Sequence, residues 1–118
     1  MEPGEPGTDR LAARELLEDP DNALVLSAAS SWEIAIKYRL GKLSLPEPPA
    51  RFVLPRLTRD GIEPLPVHHR HVCAVADLPD HHRDPFDRLL VAVAQAEDLP
   101  LVTADPQFLE YDITVIQA

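Results

Sequence analysis

Cysteine, aromatic residues and long apolar runs are all scarce in this sequence. One cysteine in 118 residues excludes an internal disulfide and fits the reducing cytoplasm, where we expect the protein to reside. No apolar run approaches the ~20 residues that a membrane-spanning helix needs, so we expect no membrane association. Aromatic residues make up 5% of the chain. The core must therefore be built mainly from Leu, Val, Ile and Ala, and we expect Cys73 to be a small residue of that core.

Positive charge is also in short supply. Eleven basic residues stand against twenty acidic ones, which gives a formal net charge of -9. This balance argues against a DNA-binding module, because such modules present a broad basic surface. It argues less against a metal-dependent nuclease, because divalent cations neutralise the carboxylates of the site and then face the substrate phosphates.

The chain length predicts one domain behind a short tail. Residues 1–8 are rich in proline and glycine with almost nothing to bury, which predicts a disordered tail and a domain over 9–118. Helical periodicity predicts helices over 9–18, around 32–40, and over 50–60, 68–76, 85–97 and 106–109. Short apolar runs predict strands at 23–26, 62–67, 101–103 and 113–116. This alternation predicts an α/β fold with a parallel sheet and helices on both of its faces.

Three acidic residues, Glu33, Asp87 and Asp105, stand where predicted helices begin. Helix capping is sufficient to explain each of them: Glu33 as the partner of Ser30 in a capping box, Asp87 in the first turn behind Asp84, and Asp105 as an N-cap before proline. Glu33 also has a lysine one turn later as a possible ion-pair partner.

Their joint placement supports a different interpretation. In an open parallel sheet, the loops that leave the carboxyl ends of the strands meet at one crevice, and these acids lie in or just after such loops. Carboxylates gathered there would repel one another unless a hard cation such as Mg²⁺ or Mn²⁺ lay between them. The residues alone leave capping and a metal site equally open.

Three blocks of the chain stand out around the acidic residues. The first runs over 27–37 and continues into Gly41-Lys42-Leu43, the second covers 81–90, and the third covers 101–105 and is followed by Phe108. Together these blocks resemble the VapC-type PIN-domain ribonuclease toxins. The resemblance extends from about residue 11 to residue 116. It implies a PIN-like α/β/α fold around a central parallel sheet.

The resemblance also implies a function. The expected activity is that of a Mg²⁺- or Mn²⁺-dependent endoribonuclease, the toxin of a type II toxin–antitoxin pair, which acts on RNA, forms a homodimer and is silenced by a cognate VapB-type antitoxin. By motif position, Glu33, Asp87 and Asp105 would be the catalytic and metal-binding acids.

Four further residues have weaker assignments. Asp84 is a lesser candidate because its cap role explains it, and Thr103 is expected to orient a ligand without binding the cation. Arg83 and Arg88 flank the second block and would contact RNA phosphate or an antitoxin carboxylate. The alternative for both arginines is a surface ion pair with Asp80 or Asp84. The five histidines lack the spacing of a structural zinc site, so we expect them to be exposed or to lie at helix N-termini.

The sequence departs from the family pattern at its start. Family members begin with an apolar strand that ends in an aspartate, whereas residues 1–8 contain neither. We therefore expect a PIN domain that lacks the family's first strand and its first acid. An alternative function follows, a catalytically impaired remnant that at most binds its antitoxin. A metal-free interaction module, in which all the acids are caps, is a third possibility.

Overall fold

The computed structural model describes residues 23–117. The predicted tail at 1–8, the predicted helix at 9–18 and the prediction of a missing first strand lie outside this range. In chain order, the elements are β1 (Val25–Ser27), α1 (Ala28–Arg39), α2 (Pro49–Arg59), β2 (Glu63–Leu65), α3 (His69–Ala74), a 3-10 turn (Val75–Asp77), α4 (Pro85–Glu97), β3 (Leu101–Thr103), a second 3-10 turn (Pro106–Glu110) and β4 (Val115–Gln117).

Helix α1 begins earlier than its sequence suggested. The hydroxyl of Ser27 accepts a hydrogen bond from the amide of Ala29 at 3.1 Å and caps the helix. The proposed capping box between Ser30 and Glu33 is therefore wrong, because Glu33 lies in the second turn with its backbone amide already inside the helix. The helix ends where predicted, since Gly41 takes a positive φ of 76° just beyond it.

Helix α4 has the predicted bounds, and its first turn is capped as expected. Oδ1 of Asp84 accepts hydrogen bonds from the amides of Phe86 (2.8 Å) and Asp87 (3.4 Å), and proline occupies the first helical position. At the other end, Asp98 adopts the left-handed conformation with φ 54°, which closes the helix in the way that glycine usually does.

The strands form two parallel pairs. β1 pairs with β2, with Val25 opposite Glu63, and β3 pairs with β4, with Leu101 opposite Val115. The α/β prediction is confirmed. The single central sheet that we expected is not continuous within residues 23–117, because β1 and β3 share no ladder there. Val102 on β3 is 40% exposed, so this strand is not buried on both faces.

Helix α4 holds the two halves together, because opposite sides of it supply two apolar clusters. Val91 and Ala92 pack with Phe108 and Tyr111 next to the β3–β4 pair. The second cluster lies towards the β1–β2 pair and consists of Ala29, Leu89 and Val93. Helix α4 is thereby packed between α1 on one side and the turn that follows β3 on the other.

Two expectations about burial are wrong. Cys73 is exposed on α3 rather than part of the core. His82 is 7% exposed and lies outside any helix, whereas the histidines were expected to be exposed or to lie at helix N-termini. His71 does lie in the first turn of α3, and it is fully buried there. Both buried rings have polar partners, which offset the cost of removing the ring nitrogens from water. None of the helices in residues 23–117 combines the length and the apolar character needed to cross a bilayer.

Candidate metal centre

Asp87 lies at the centre of the acidic site. Two groups of potential ligand atoms, each within 4.8 Å of one another, share this residue. One group combines Asp87 with Glu33 and Asp84, and the other combines it with His82 and Asp105. Among the described residues, no such group contains both Glu33 and Asp105, so the predicted trio is assembled only through Asp87.

Glu33 reaches the site from α1. Its carboxylate lies 2.7 Å from Nζ of Lys37, one helical turn later, which confirms the ion pair anticipated from their spacing. The pKa of Lys37 is raised, first by its hydrogen bond with Glu33 and also by the nearby negative charges of Asp84 and Asp87. The lysine therefore supplies positive charge at the edge of the acidic group.

Asp84 is more central than its sequence suggested. Oδ1 of its carboxylate caps the N-terminus of α4. The carboxylate also lies close enough to those of Glu33 and Asp87, within 4.8 Å, for all three to bind one cation. Capping and membership of the acidic group are thus compatible, because a carboxylate offers two oxygens and about four lone pairs.

Asp105 comes from the loop after β3. Its Oδ1 accepts a hydrogen bond from the amide of Gln107 at 2.9 Å, which confirms the predicted cap, and its Oδ2 faces the ring of His82. The hydroxyl of Thr103 accepts a hydrogen bond from the backbone amide of Asp105 at 3.1 Å. Thr103 thus holds the backbone of the loop and makes no hydrogen bond to the carboxylate.

His82 is the site residue that sequence reasoning missed. Its Nε2 lies 3.3 Å from Oδ2 of Asp105 and 3.9 Å from Oδ2 of Asp87, and its ring is almost completely buried. The sequence signal was its position, two residues before the cap of α4. The partner that buries it, Tyr111, lies 29 residues later and no local pattern connects the two.

The electrostatics of the site centre on Asp87. Burial is the main cause that raises the pKa of its carboxyl group above the ordinary value, and the neighbouring acids Asp84, Glu33 and Asp105 raise it further. His82 opposes this shift. The ionised form of Asp87 is therefore destabilised, and a cation that binds among these carboxylates would stabilise it.

The donor set suits a hard divalent cation. Carboxylate oxygens from Glu33, Asp84, Asp87 and Asp105 are the ligands that Mg²⁺ and Mn²⁺ prefer, whereas zinc sites favour histidine and cysteine. The only cysteine, Cys73, is on α3 and belongs to neither group of potential ligands.

The two arginines of the second block have different surroundings. The guanidinium group of Arg88 donates to the carbonyl oxygens of Pro79 (2.9 Å), Val75 (3.0 Å) and Leu78 (3.3 Å), and it also pairs with Asp80 at 3.4 Å. The alternative for Arg88, a surface ion pair with Asp80, is therefore present in the structure.

Arg83 is exposed and forms no ion pair within the part of the chain that the structure describes. A shallow cleft beside the acidic group is lined by both arginines together with Asp80 and His82. Of the two guanidinium groups, that of Arg83 is the more available to a ligand in this cleft.

Comparison with known proteins places these features in a family. The PIN domain model matches residues 5–113. A similar curated protein is Ribonuclease VapC16 of Mycobacterium tuberculosis (strain ATCC 25618 / H37Rv), 55% identical over 58 residues, which is 49% of this chain and 41% of that protein. The match thus spans less than half the length of this relative. A search of solved structures finds no significant match. The blocks around Glu33, Asp87 and Asp105 and the match over most of the sequence agree, and the chain belongs to the PIN-domain family.

Proposed function

We propose that this chain acts as a metal-dependent endoribonuclease toxin that hydrolyses RNA phosphodiester bonds. The observation that carries this proposal is the convergence of three carboxylates on that of Asp87, with the pKa of Asp87 raised by burial and by these acidic neighbours. Sites of this kind are arranged for function more often than for stability, because the repulsion is costly without a ligand. The name of the relative, a ribonuclease, points to the same chemistry.

The roles of the residues follow from their positions. Glu33, Asp87 and Asp105 would hold Mg²⁺ or Mn²⁺, with Asp84 as an additional ligand through the oxygen that does not cap α4. Such a cation lowers the pKa of bound water and stabilises negative charge on a phosphoryl group. Thr103 would keep Asp105 in place by fixing the loop backbone.

The shallow cleft would receive the substrate. Arg83 is exposed beside the acidic group and would bind an RNA phosphate or a carboxylate of the antitoxin. Arg88 would attract the substrate through its positive charge without binding it directly, because its N–H donors are largely occupied by carbonyl oxygens. The partners that fit this proposal are RNA, a VapB-type antitoxin and a second copy of the chain, in the cytoplasm.

One observation favours a second candidate function, the impaired remnant that at most binds its antitoxin. Within residues 23–117, the strands form two separate pairs, so the loops after β1 and β3 are not joined by a continuous hydrogen-bonded sheet. Catalysis of phosphoryl transfer depends on exact positioning of groups, whereas a docking surface tolerates more movement.

A cleavage assay with two variants separates these functions. We expect the purified full chain to cleave single-stranded RNA in the presence of Mn²⁺, and Asp87→Asn to reduce the rate by about 100-fold or more, since Asp87 is shared by both groups of ligands. Asp112→Asn is the matched control, because this aspartate is exposed and outside the acidic groups.

Cleavage that survives Asp87→Asn unchanged would contradict the proposed chemistry. Absence of cleavage by the unaltered chain, combined with binding of an antitoxin, would instead support the remnant.

A further inference from the structure

His82 is held in a defined orientation by aromatic neighbours. Its ring lies nearly parallel to that of Tyr111, with an interplanar angle of 12°, and its centroid is 4.4 Å from that of Phe108. His82, Phe108 and Tyr111 are all less than 9% exposed. The ring is therefore packed too tightly to turn freely, and the direction in which each of its nitrogens points is set by the fold.

Tyr111 contacts both the backbone and the ring of His82. The hydroxyl oxygen of Tyr111 accepts a hydrogen bond from the backbone amide of His82 at 3.0 Å and lies 3.2 Å from Nδ1 of the same residue. If the ring is neutral, the tyrosine hydroxyl fits either tautomer, because it can donate to a bare Nδ1 or accept from Nδ1–H; the choice is then made by the partner of Nε2. If the ring is charged, both nitrogens carry hydrogen.

In either charge state, Nε2–H points at the carboxylates. Nε2 lies 3.3 Å from Oδ2 of Asp105, so it donates a hydrogen bond there, with Oδ2 of Asp87 slightly farther away at 3.9 Å. The opposite neutral tautomer would place an Nε2 lone pair against a carboxylate lone pair, which is repulsive in a buried site.

A nitrogen that carries hydrogen cannot bind a cation. His82 lies within ligand distance of Asp87 and Asp105, yet its only nitrogen on that side is already a donor. This step rests on the proposed function. We infer that His82 is a positioning residue and not a metal ligand. Tyr111 orients the ring of His82, and His82 in turn orients the carboxylate of Asp105 within the acidic group.

The chain of contacts from Tyr111 through His82 to Asp105, called the relay below, explains why the carboxylate of Asp105 has a fixed orientation. The aspartate comes from a loop and is 43% exposed in its side chain, so its own packing does not fix it. Its Oδ1 is restrained by the amide of Gln107 and its Oδ2 by Nε2–H of His82. Two restraints on opposite oxygens hold the carboxylate plane in one orientation, and such outer partners are worth about 10- to 100-fold in metal affinity.

Nuclear magnetic resonance of the full chain tests the hydrogen position directly. Long-range ¹H–¹⁵N correlation spectra of the histidine rings distinguish the two neutral tautomers. We expect Nε2 of His82 to carry hydrogen in the cation-free protein and to keep it after addition of Mg²⁺. A hydrogen on Nδ1 alone, or loss of the Nε2 hydrogen when Mg²⁺ is added, would overturn the inference.

Titration calorimetry with Mn²⁺ tests the positioning role. Tyr111→Phe removes only the hydroxyl, and we expect about a 10-fold weaker Mn²⁺ affinity. Tyr38→Phe is the matched control, because it alters the other tyrosine, whose hydroxyl makes no hydrogen bond among the described residues. His82→Gln keeps an N–H donor at a similar reach and should retain more affinity than His82→Ala. Equal affinity in Tyr111→Phe and the unaltered chain, with folding confirmed by amide spectra, would contradict the relay.

The two experiments also separate this inference from the proposed function. If the unaltered chain binds no Mn²⁺ and cleaves no RNA, the proposed function fails, whereas the ring spectra still decide whether Asp105 fixes the hydrogen of His82 on Nε2.

Discussion

Trp32 on α1 meets Phe86 on α4 edge to face, with their ring centroids 4.5 Å apart and their planes at 67°. Each aromatic residue is the immediate chain neighbour of an acid of the site, Glu33 in one case and Asp87 in the other. The pair therefore fixes the distance between the two helices at the place where their carboxylates converge.

Removal of this aromatic contact should affect both stability and the site. We expect Trp32→Ala to lower the free energy of unfolding by about 1–2 kcal/mol, from the lost aromatic pair and the buried half of the indole. We also expect weaker Mn²⁺ binding, because Glu33 is no longer held beside Asp87. Chemical denaturation and calorimetry measure the two effects. Leu40→Ala is the control, because Leu40 lies directly after the same helix, is 61% exposed and should change stability by less than about 0.5 kcal/mol.

Substitutions of Arg88 should affect mainly the stability of the protein, whereas substitutions of Arg83 should affect mainly the binding of substrate. Arg88→Lys loses the planar set of donors that reaches three carbonyl oxygens, so we expect a loss of about 1–3 kcal/mol in unfolding free energy. Arg83→Lys should leave stability within about 0.5 kcal/mol of the unaltered chain. By contrast, Arg83→Ala should weaken RNA binding in a gel-shift or polarisation assay. Equal loss of stability in the two lysine variants would contradict this division.

A second ionic contact fixes α3 to the end of α4. Nδ1 of the buried His71 accepts a hydrogen bond from the amide of His68, so its Nε2–H donates to the carboxylate of Glu97 at 2.8 Å; Arg70 pairs with the same carboxylate. The hydrogen bond from His71, followed by that from Arg70, lowers the pKa of Glu97.

The pH dependence of this contact has a defined sign. A carboxyl group with a lowered pKa in the folded state adds stability above its ordinary pKa, and this contribution is lost as the pH falls through the folded value. We therefore expect Glu97→Gln to be less stable than the unaltered chain at neutral pH and the difference to disappear in acid. Thermal unfolding across that pH range measures it. A difference that persists unchanged below the pKa of Glu97 would show that the ionic contact contributes nothing.

The ionised carboxylate of Asp87 should have the opposite effect on stability to that of Glu97. Its pKa is raised in the folded protein, chiefly by burial, so the ionised carboxylate costs stability at neutral pH when no cation is present. We expect Asp87→Asn to raise the melting temperature of the protein in a chelator at neutral pH, with the gain shrinking as the pH falls through the raised pKa. A melting temperature lowered by Asp87→Asn in the chelator would contradict the repulsion.

The elements that local signals define were predicted well. Helix α4 has an aspartate cap, a proline at its first position and one apolar stripe, so its bounds over 85–97 follow from the sequence alone. The start of α1 was wrong because the chain offers Ser27 and Ser30 as possible caps, and choosing between them depends on where β1 ends. The acids Asp84 and Asp87 were placed correctly in the same turn for the same local reasons.

Features that depend on distant partners were not predictable. The burial of His82 requires Tyr111, and the burial of His71 requires Glu97, partners that are 29 and 26 residues away. The division of the strands into two pairs also depends on contacts between segments far apart in the chain. The association of Asp105 with Asp87 rather than directly with Glu33 is a tertiary outcome of the same kind.

The binding of Mn²⁺ to the full chain at neutral pH tests the central claim, that the carboxylates around Asp87 form a divalent cation site. Calorimetric titration should show binding to the unaltered chain and to Asp112→Asn, and at least about a 10-fold loss of affinity in Asp87→Asn. Mn²⁺ binding of equal strength in Asp87→Asn, or none to the unaltered chain, would contradict it.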